Sequence, residues 1–266
     1  MKSPIVLFRE SSETLDEFNI VQESSFNATN RILKIPSNSL VIGRYSVLPF
    51  YKELEEELKI TGSELINSYE QHRYIADIEN WYNDLKGYTP QTWFDWYDLP
   101  EGSYVVKGRT NSRKFQWNRQ MFCKTKDNLR NIIDSLMDDS LIRDQGLCVR
   151  KYVPLKKFDE GINGLPITNE WRAFCYQNRF VSIGYYWSNF SECKPYEWKN
   201  LPNKAAYLIQ DVMNIVSKNT NFYVVDIAET ESGDWIVIEL NDGQMSGLSD
   251  INPTELYSNL FKIISK

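Results

Sequence analysis

The stretch "VVDIAETESGDWIVIELNDGQMSG", Val224 to Gly247, decides how the rest of the chain is read. Two apolar runs flank a polar turn, which predicts a β-hairpin. Asp226 interrupts the first run, and Glu239 and Asn241 interrupt the second. Carboxylates are depleted in strands, and burying one without a partner is costly. With Ser232-Gly233 as a two-residue turn, Thr230 faces Trp235, Ala228 faces Val237 and Asp226 faces Glu239. The two opposed carboxylates then have Cβ atoms roughly 5 Å apart. Asn241 shares the face of Glu239, because side chains alternate along a strand. Two readings stay open. One is an edge strand with solvated acids and an "NDG" turn. The other is a hard-cation site, since Mg2+ typically combines one or two carboxylates with substrate phosphates.

Bulk properties narrow the classes. The 266 residues carry 36 acidic and 30 basic side chains, a net charge of −6, with a pI near 5.1. That length supports a core divided among two or three lobes. The acidic balance does not favour a nucleic-acid binder, although a local basic cleft stays open. Cysteines at 123, 148, 175 and 193 form no CxxC, and His72 is the single histidine. Zinc binding and Cys-His catalysis are therefore disfavoured, and reduced thiols in a cytoplasmic protein are expected. "MKSPIVLF" is too short for a signal peptide, and no apolar run reaches membrane length. Walker A, G-x-G-x-x-G and serine-hydrolase motifs do not occur.

Between Val105 and Lys126 the chain reads "VVKGRTNSRKFQWNRQMFCKTK", with seven cations and no acid. Lys107 ends an apolar strand, "SYVVK", and "GRTNSRK" follows as a donor-rich turn. Arginine clamps phosphate bidentately and lysine meets it as a point charge. A solvated basic loop and a base-stacking nucleic-acid patch are the other readings. In "EWRAF", Glu170 and Arg172 share one strand face. Arg172 is either half of an ion pair or a donor to phosphate or carboxylate.

Other elements follow from periodicity. Short buried strands are predicted at 4–8 and 39–43, and a helix from Leu48 to Ile60. Gly87 to Trp93 is a linker. A helix over 124–137 carries the stripe Leu129, Ile132, Ile133 and Leu136. A strand is expected at 146–153, and a hairpin from 170–176 and 179–187. The helix from Asn203 has a predicted stripe of Ala206, Ile209, Val212, Met213 and Val216. "DEGINGLP" at 159–166 reads as an exposed loop. Asn252 and Pro253 start the last helix.

Taken in order, "YTPQT", "SYVVK", "GRTNSRKFQW", "CVRKYVPL", "VVDIA" and "IELN" resemble the ATP-grasp superfamily. The likeness is nearest to a small phage and bacterial branch of it. The resemblance implies an α+β/α/β, ATP-grasp-like fold. It has a small N-terminal α/β lobe (1–88), a central lobe with phosphate-binding strand and lid (89–145), and a C-terminal lobe (146–266). Two α+β subdomains would clasp the nucleotide between sheets, with adenine against Val149 to Leu155. Lys107 would contact ATP phosphates. Arg109, Lys114, Arg150, Lys151, Tyr152, Val153 and Glu170 would complete the nucleotide site. Asp226, Glu239 and Asn241 would hold one or two Mg2+, with Asp234 and Asp242 left as turn residues. Arg172 would neutralise an acyl-phosphate transition state, and Arg44 would face the acceptor or its carboxylate. The chain departs from the pattern in three places. Its lid is rich in Arg, Lys and Asn instead of Gly. His72-Arg73 is the nearest basic pair ahead of "TP". Arg150-Lys151 stands where many relatives place an acid near the ribose. The implied activity is ATP- and Mg2+-dependent ligation of a small-molecule or peptide carboxylate to an amine. An ATP-dependent kinase, a nucleic-acid-modifying ligase and a non-catalytic nucleotide-binding module are the alternatives.

Overall fold

The computed structural model describes residues 2–9, 14–24, 26–44, 50–191 and 198–266. Leu48, at the predicted helix start, and Cys193 lie outside them. The chain begins with β1 (Ser3–Phe8), α1 (Leu15–Gln22), β2 (Asn27–Thr29), β3 (Ser39–Arg44), α2 (Tyr51–Ile60) and β4 (Glu64–Leu65). The four strands are parallel, in the order β2-β1-β3-β4. Parallel sheets are covered on both faces, so their strands are apolar without alternation. Ile5, Leu7 and Val41 pack on Leu54 and Leu58 of α2. Val6, Phe8 and Ile42 face the opposite way, onto Leu256, Tyr257 and Leu260 near the C-terminus. Next come α3 (Tyr69–Ala76), started by a Ser68–Gln71 capping box, and α4 (Ile78–Trp81).

The central sheet is built from β5 (Thr92–Trp93), β6 (Tyr104–Gly108), β7 (Phe122–Cys123) and, after α5 (Leu129–Met137) and α6 (Ser140–Gln145), β8 (Leu147–Lys151). Its order is β5-β8-β6-β7, all antiparallel. The α5 stripe of Leu129, Ile132, Ile133 and Leu136 is buried as predicted, against Tyr104, Val106 and Val149. The strand placed above in the third lobe, β8, pairs within this sheet, with Lys107 opposite Cys148.

The C-terminal part holds β9 (Lys157–Glu160), β10 (Pro166–Thr168), β11 (Glu170–Tyr176), β12 (Arg179–Tyr185), α7 (Asn203–Val216), β13 (Phe222–Glu229), β14 (Trp235–Asp242) and α8 (Pro253–Ile264). The segment expected as an exposed loop at 159–166 is mostly the hairpin β9–β10, turned through Asn163 and Gly164 at positive φ. The large antiparallel sheet runs β12-β11-β13-β14. Alternate residues separate its faces. Ala173, Cys175, Val225 and Ile227 pack on α7, while Phe174, Val181 and Val224 pack on α8. The buried α7 stripe is Ala205, Leu208, Ile209, Val212, Met213 and Val216. Ala206, expected inside, is exposed.

Gly184 on β12 lets the chain before α8 lie directly on the sheet. A Cβ there would sit 2.7 Å from Ile251 Cγ1 and 2.8 Å from the Ile251 backbone nitrogen. Gly184→Ala is expected to lower stability by about 1–3 kcal/mol, read as a lower urea midpoint.

Candidate active site

The opening hairpin keeps one predicted pair, Asp226 opposite Glu239, and has an unpredicted turn. Thr230 and Asp234 flank a three-residue loop, Glu231 to Gly233. The Thr230 N–H donates to the Asp234 carbonyl at 2.8 Å, and Gly233 has φ +84°. This is the three-residue hairpin loop that puts Gly in the left-handed region. The two-residue turn assumed above is thus corrected: Ala228 faces Ile236, and Glu229 faces Trp235. A bulge then inserts Ile238, and Asp226 comes to face Glu239 after all. The bulge also switches the side-chain phase of β14. Ile236 and the inserted Ile238 border one chamber, Asn241 borders a second, and Glu239 borders both.

Arg150 secures this irregularity. Its Nη1 donates to the Ile238 carbonyl at 2.6 Å and its Nη2 to Thr89 Oγ1 at 2.6 Å. Thr89 Oγ1 in turn donates to the Val237 carbonyl at 2.8 Å, and the Val237 N–H donates to the Tyr88 carbonyl at 2.8 Å. The "TP" linker is therefore strapped along the edge of β14, which leaves no open edge there.

Cations occupy both opposed carboxylates. Arg172 grips Asp226 with Nε and Nη2, each at 2.8 Å, and gives Nη1 to the Gly247 carbonyl at 3.0 Å. Lys107 pairs with Glu239. Burial pushes the Glu239 carboxyl up, but Lys107 and Lys114 overcome this and hold it at about 2. Burial likewise works against the charge on Lys114. Tyr186, Glu170, Glu239 and Asp226 reverse the effect and leave the ammonium more firmly protonated than usual. Glu170 differs from its neighbours. Burial raises its carboxyl to about 7, against the pull of Lys114 and Arg172, and its Oε1 has no hydrogen-bond partner.

Two chambers meet at Lys114 and Glu239. The first lies between the central sheet and β14 and encloses about 980 Å3, open mouth included. Val105, Met121, Leu155, Ile236 and Ile238 supply its apolar walls. Lys107, Arg150, Lys151, Tyr152, Val153 and Glu170 also border it. The second chamber is bordered by Arg172, Asn241, Ser246 and Gly247. Phe115, Tyr186, Trp187 and Phe190 border it as well. These four aromatics were missed in the sequence. Aromatic residues make up 14% of the chain, but no spacing singled these four out.

Several expected residues are engaged elsewhere. Arg109 does not border either chamber; its guanidinium pairs with Asp77 and Glu79. Arg44 is buried with Glu17 and donates to the carbonyls of Gly243, Gln244 and Ser246, so it braces the loop after β14 instead of facing an acceptor. Asp234 is an exposed turn residue paired with Lys204. Asp242 is no solvated turn residue: it is buried, 2.9 Å from His72 Nδ1, and accepts from Asn67 Nδ2 at 3.0 Å. The basic run does not form one cationic surface. Besides Lys107 and Arg109, Arg113 pairs with Asp139, and Lys114 donates to the Tyr186 hydroxyl at 2.6 Å. Cys123, Cys148 and Cys175 are buried free thiols. Among the described residues, no three His, Cys, Asp or Glu side chains cluster as a metal site, and no helix is long and apolar enough to cross a membrane.

Comparison with known proteins agrees with this layout. No curated protein matches the sequence. Among solved structures, the chain is similar to D-alanine–D-alanine ligase from Bacillus anthracis complexed with ATP. The TM-score is 0.60 at 13% identity, covering 100% of this chain and 95% of that one. It is also similar to a RimK domain ATP-grasp protein from Sphaerobacter thermophilus. There the TM-score is 0.56 at 14% identity, covering 91% and 92%. N5-carboxyaminoimidazole synthetase from Staphylococcus aureus complexed with ADP gives 0.61 at 10% identity, covering 97% and 77%. These likenesses establish the ATP-grasp fold. A family model, the ATP-grasp domain of R2K clade family 3, matches residues 94–260, which span both chambers. The chain belongs to that family of the ATP-grasp superfamily.

Proposed function

We propose that this protein is an ATP-dependent ligase that joins a carboxylate to an amine through an acyl-phosphate. The observation that carries the reading is the Lys107–Glu239 pair. It stands where an apolar cleft meets a chamber bordered by Arg172 and Lys114. Adenine lies between Val105 and Met121 on one side and Ile236 and Ile238 on the other, with the Lys151 to Val153 backbone at its edge. ATP offers two kinds of hydrogen-bond donor, the adenine amino group and the ribose hydroxyls. With the amino group at the backbone, the unpartnered Glu170 oxygen receives a ribose hydroxyl.

Lys107 exchanges Glu239 for phosphate oxygens as ATP enters. Glu239 is then free to join Asp226 and Asn241 in holding Mg2+; two carboxylates and an amide are the oxygen donors a hard cation takes. Bound there, Mg2+ would neutralise charge on the phosphate oxygens. A substrate carboxylate oxygen attacks the γ-phosphorus. The bond from that phosphorus to its bridging oxygen breaks, and ADP departs with the electron pair. Arg172 and Lys114 hold the charge that develops. The amine nitrogen next attacks the acyl carbon, the carbon–oxygen bond to phosphate breaks, and the departing phosphate takes up the proton the amine loses. Lys114 to Trp117 cover the junction and keep water from the acyl-phosphate.

The test uses hydroxylamine as a generic amine that traps acyl-phosphates as hydroxamates. With ATP, Mg2+ and a broad carboxylate panel, ADP release is expected to require an acid and to match hydroxamate one to one. Phosphate transferred to a hydroxyl compound, or ADP release indifferent to every acid, would remove the ligase reading.

A further inference from the structure

The second chamber has two unlike ends. Phe115 and Phe190 present rings that are 53% and 49% exposed, with centroids 5.6 Å apart. They arrive from separate elements, Phe115 after β6 and Phe190 after β12. Phe190 also meets Trp187 edge-on at 5.8 Å. Rings that only build the core here are closed off, as with Trp171 and Tyr185 at 2% and 1% exposure. Half-open rings bordering a cleft are apolar surface available to a ligand.

The other end is cationic. Lys114 is held by the Tyr186 hydroxyl and lies 4.2 Å from the Tyr186 ring centroid, with no carboxylate as its hydrogen-bond partner. The Arg172 guanidinium lies 4.6 Å from the same ring centroid and is shared with Asp226, so Lys114 is the cation without an ion-pair partner here among the described residues. An acid is drawn to this end and an ammonium is repelled. Trp187 links the two ends: its ring centroid is 5.5 Å from the Lys114 ammonium and 5.8 Å from the Phe190 centroid. A carboxylate separated from an aromatic ring by a few carbons bridges such an interval.

Resting on the ligase reading above, we propose that the acid substrate is an arylalkyl carboxylate, with its carboxylate at Arg172 and Lys114 and its ring against Phe115 and Phe190. A short peptide ending in an aromatic residue, whose α-nitrogen is an uncharged amide, is the simplest biological case.

The test compares hydroxamate formation from phenylpropionate and N-acetylphenylalanine with that from propionate and N-acetylalanine, under saturating ATP and Mg2+. The aromatic acids are expected to lead by about 10- to 100-fold in kcat/KM. In Phe115→Ala and Phe190→Ala that ratio is expected to fall about tenfold, through KM for the aromatic acid. Equal use of small and aromatic acids by the parent protein overturns the proposal. So does a ratio that both variants leave unchanged, which would make the rings a lid contact only. If no acid gives hydroxamate, the ligase reading fails separately. Calorimetry then decides the pocket: phenylpropionate must bind the parent protein more tightly than propionate, and must lose that advantage in Phe190→Ala.

Discussion

Lys107→Met is expected to reduce ATP-dependent turnover by about 10²–10³-fold while the chain remains folded. Lys107 is buried at the end of β6, and its one acidic partner, Glu239, lies on the opposing sheet. Its cationic neighbours are held elsewhere: Arg150 at Ile238 and Thr89, Arg109 at Asp77 and Glu79, and Lys114 at the Tyr186 hydroxyl. The same variant has a signature in stability. Glu239 sits at about 2 in the parent, below its ordinary carboxylate value, because Lys107 and Lys114 outweigh burial. A depressed carboxyl stabilises the fold above its unfolded value, and that stabilisation is lost as pH falls from about 4.5 towards 2. Lys107→Met removes the main source of the depression. Its melting temperature should therefore decline less steeply across that acid window, as a pH series of thermal scans would measure.

Glu170→Gln is expected to act in the opposite direction on stability and in the same direction on function. Its folded value of about 7 is raised, first by burial, so the unfolded chain ionises more readily than the folded one. The sign follows: stability falls as pH rises from about 4.5 to 7 and stays reduced above that. Removing the charge should raise the unfolding free energy at pH 8 by on the order of 3 kcal/mol, with little gain at pH 4. ATP affinity should drop, because an amide gives the ribose hydroxyls a weaker acceptor than a carboxylate. Urea unfolding at the two pH values and ATP calorimetry check both halves. A variant that binds ATP as before would detach Glu170 from the nucleotide. Under the proposed function, the parent keeps a destabilising carboxylate for the ribose, a common trade between stability and activity.

Much of this was legible because it is local or arithmetic. Apolar runs located β1, β3 and the strands of the large sheet. Spacing gave the α5 stripe, and pairing distance set Asp226 against Glu239. That last success had a compensating error inside it. The turn has three residues instead of two, and Ile238 restores the register. No single-sequence pattern announces a bulge whose carbonyl is met by Arg150, 88 residues away. Long-range partners explain the other differences. Arg109 reads as a free cation until α4 brings Asp77 and Glu79 beside it. The strand at 147–151 reads as the start of a new lobe until β6 pairs with it. The aromatic wall needs the lid and the chain after β12 to converge, and neither segment carries a periodicity that points at the other.

The account rests on one exchange of partners. A crystal structure with Mg2+ and a non-hydrolysable ATP analogue tests it most directly. The predicted result has the base between Val105 and Ile238, Lys107 on the phosphates, and Asp226, Glu239 and Asn241 on the cation. A nucleotide bound outside this cleft, or a Lys107–Glu239 pair still closed beside it, would contradict the account.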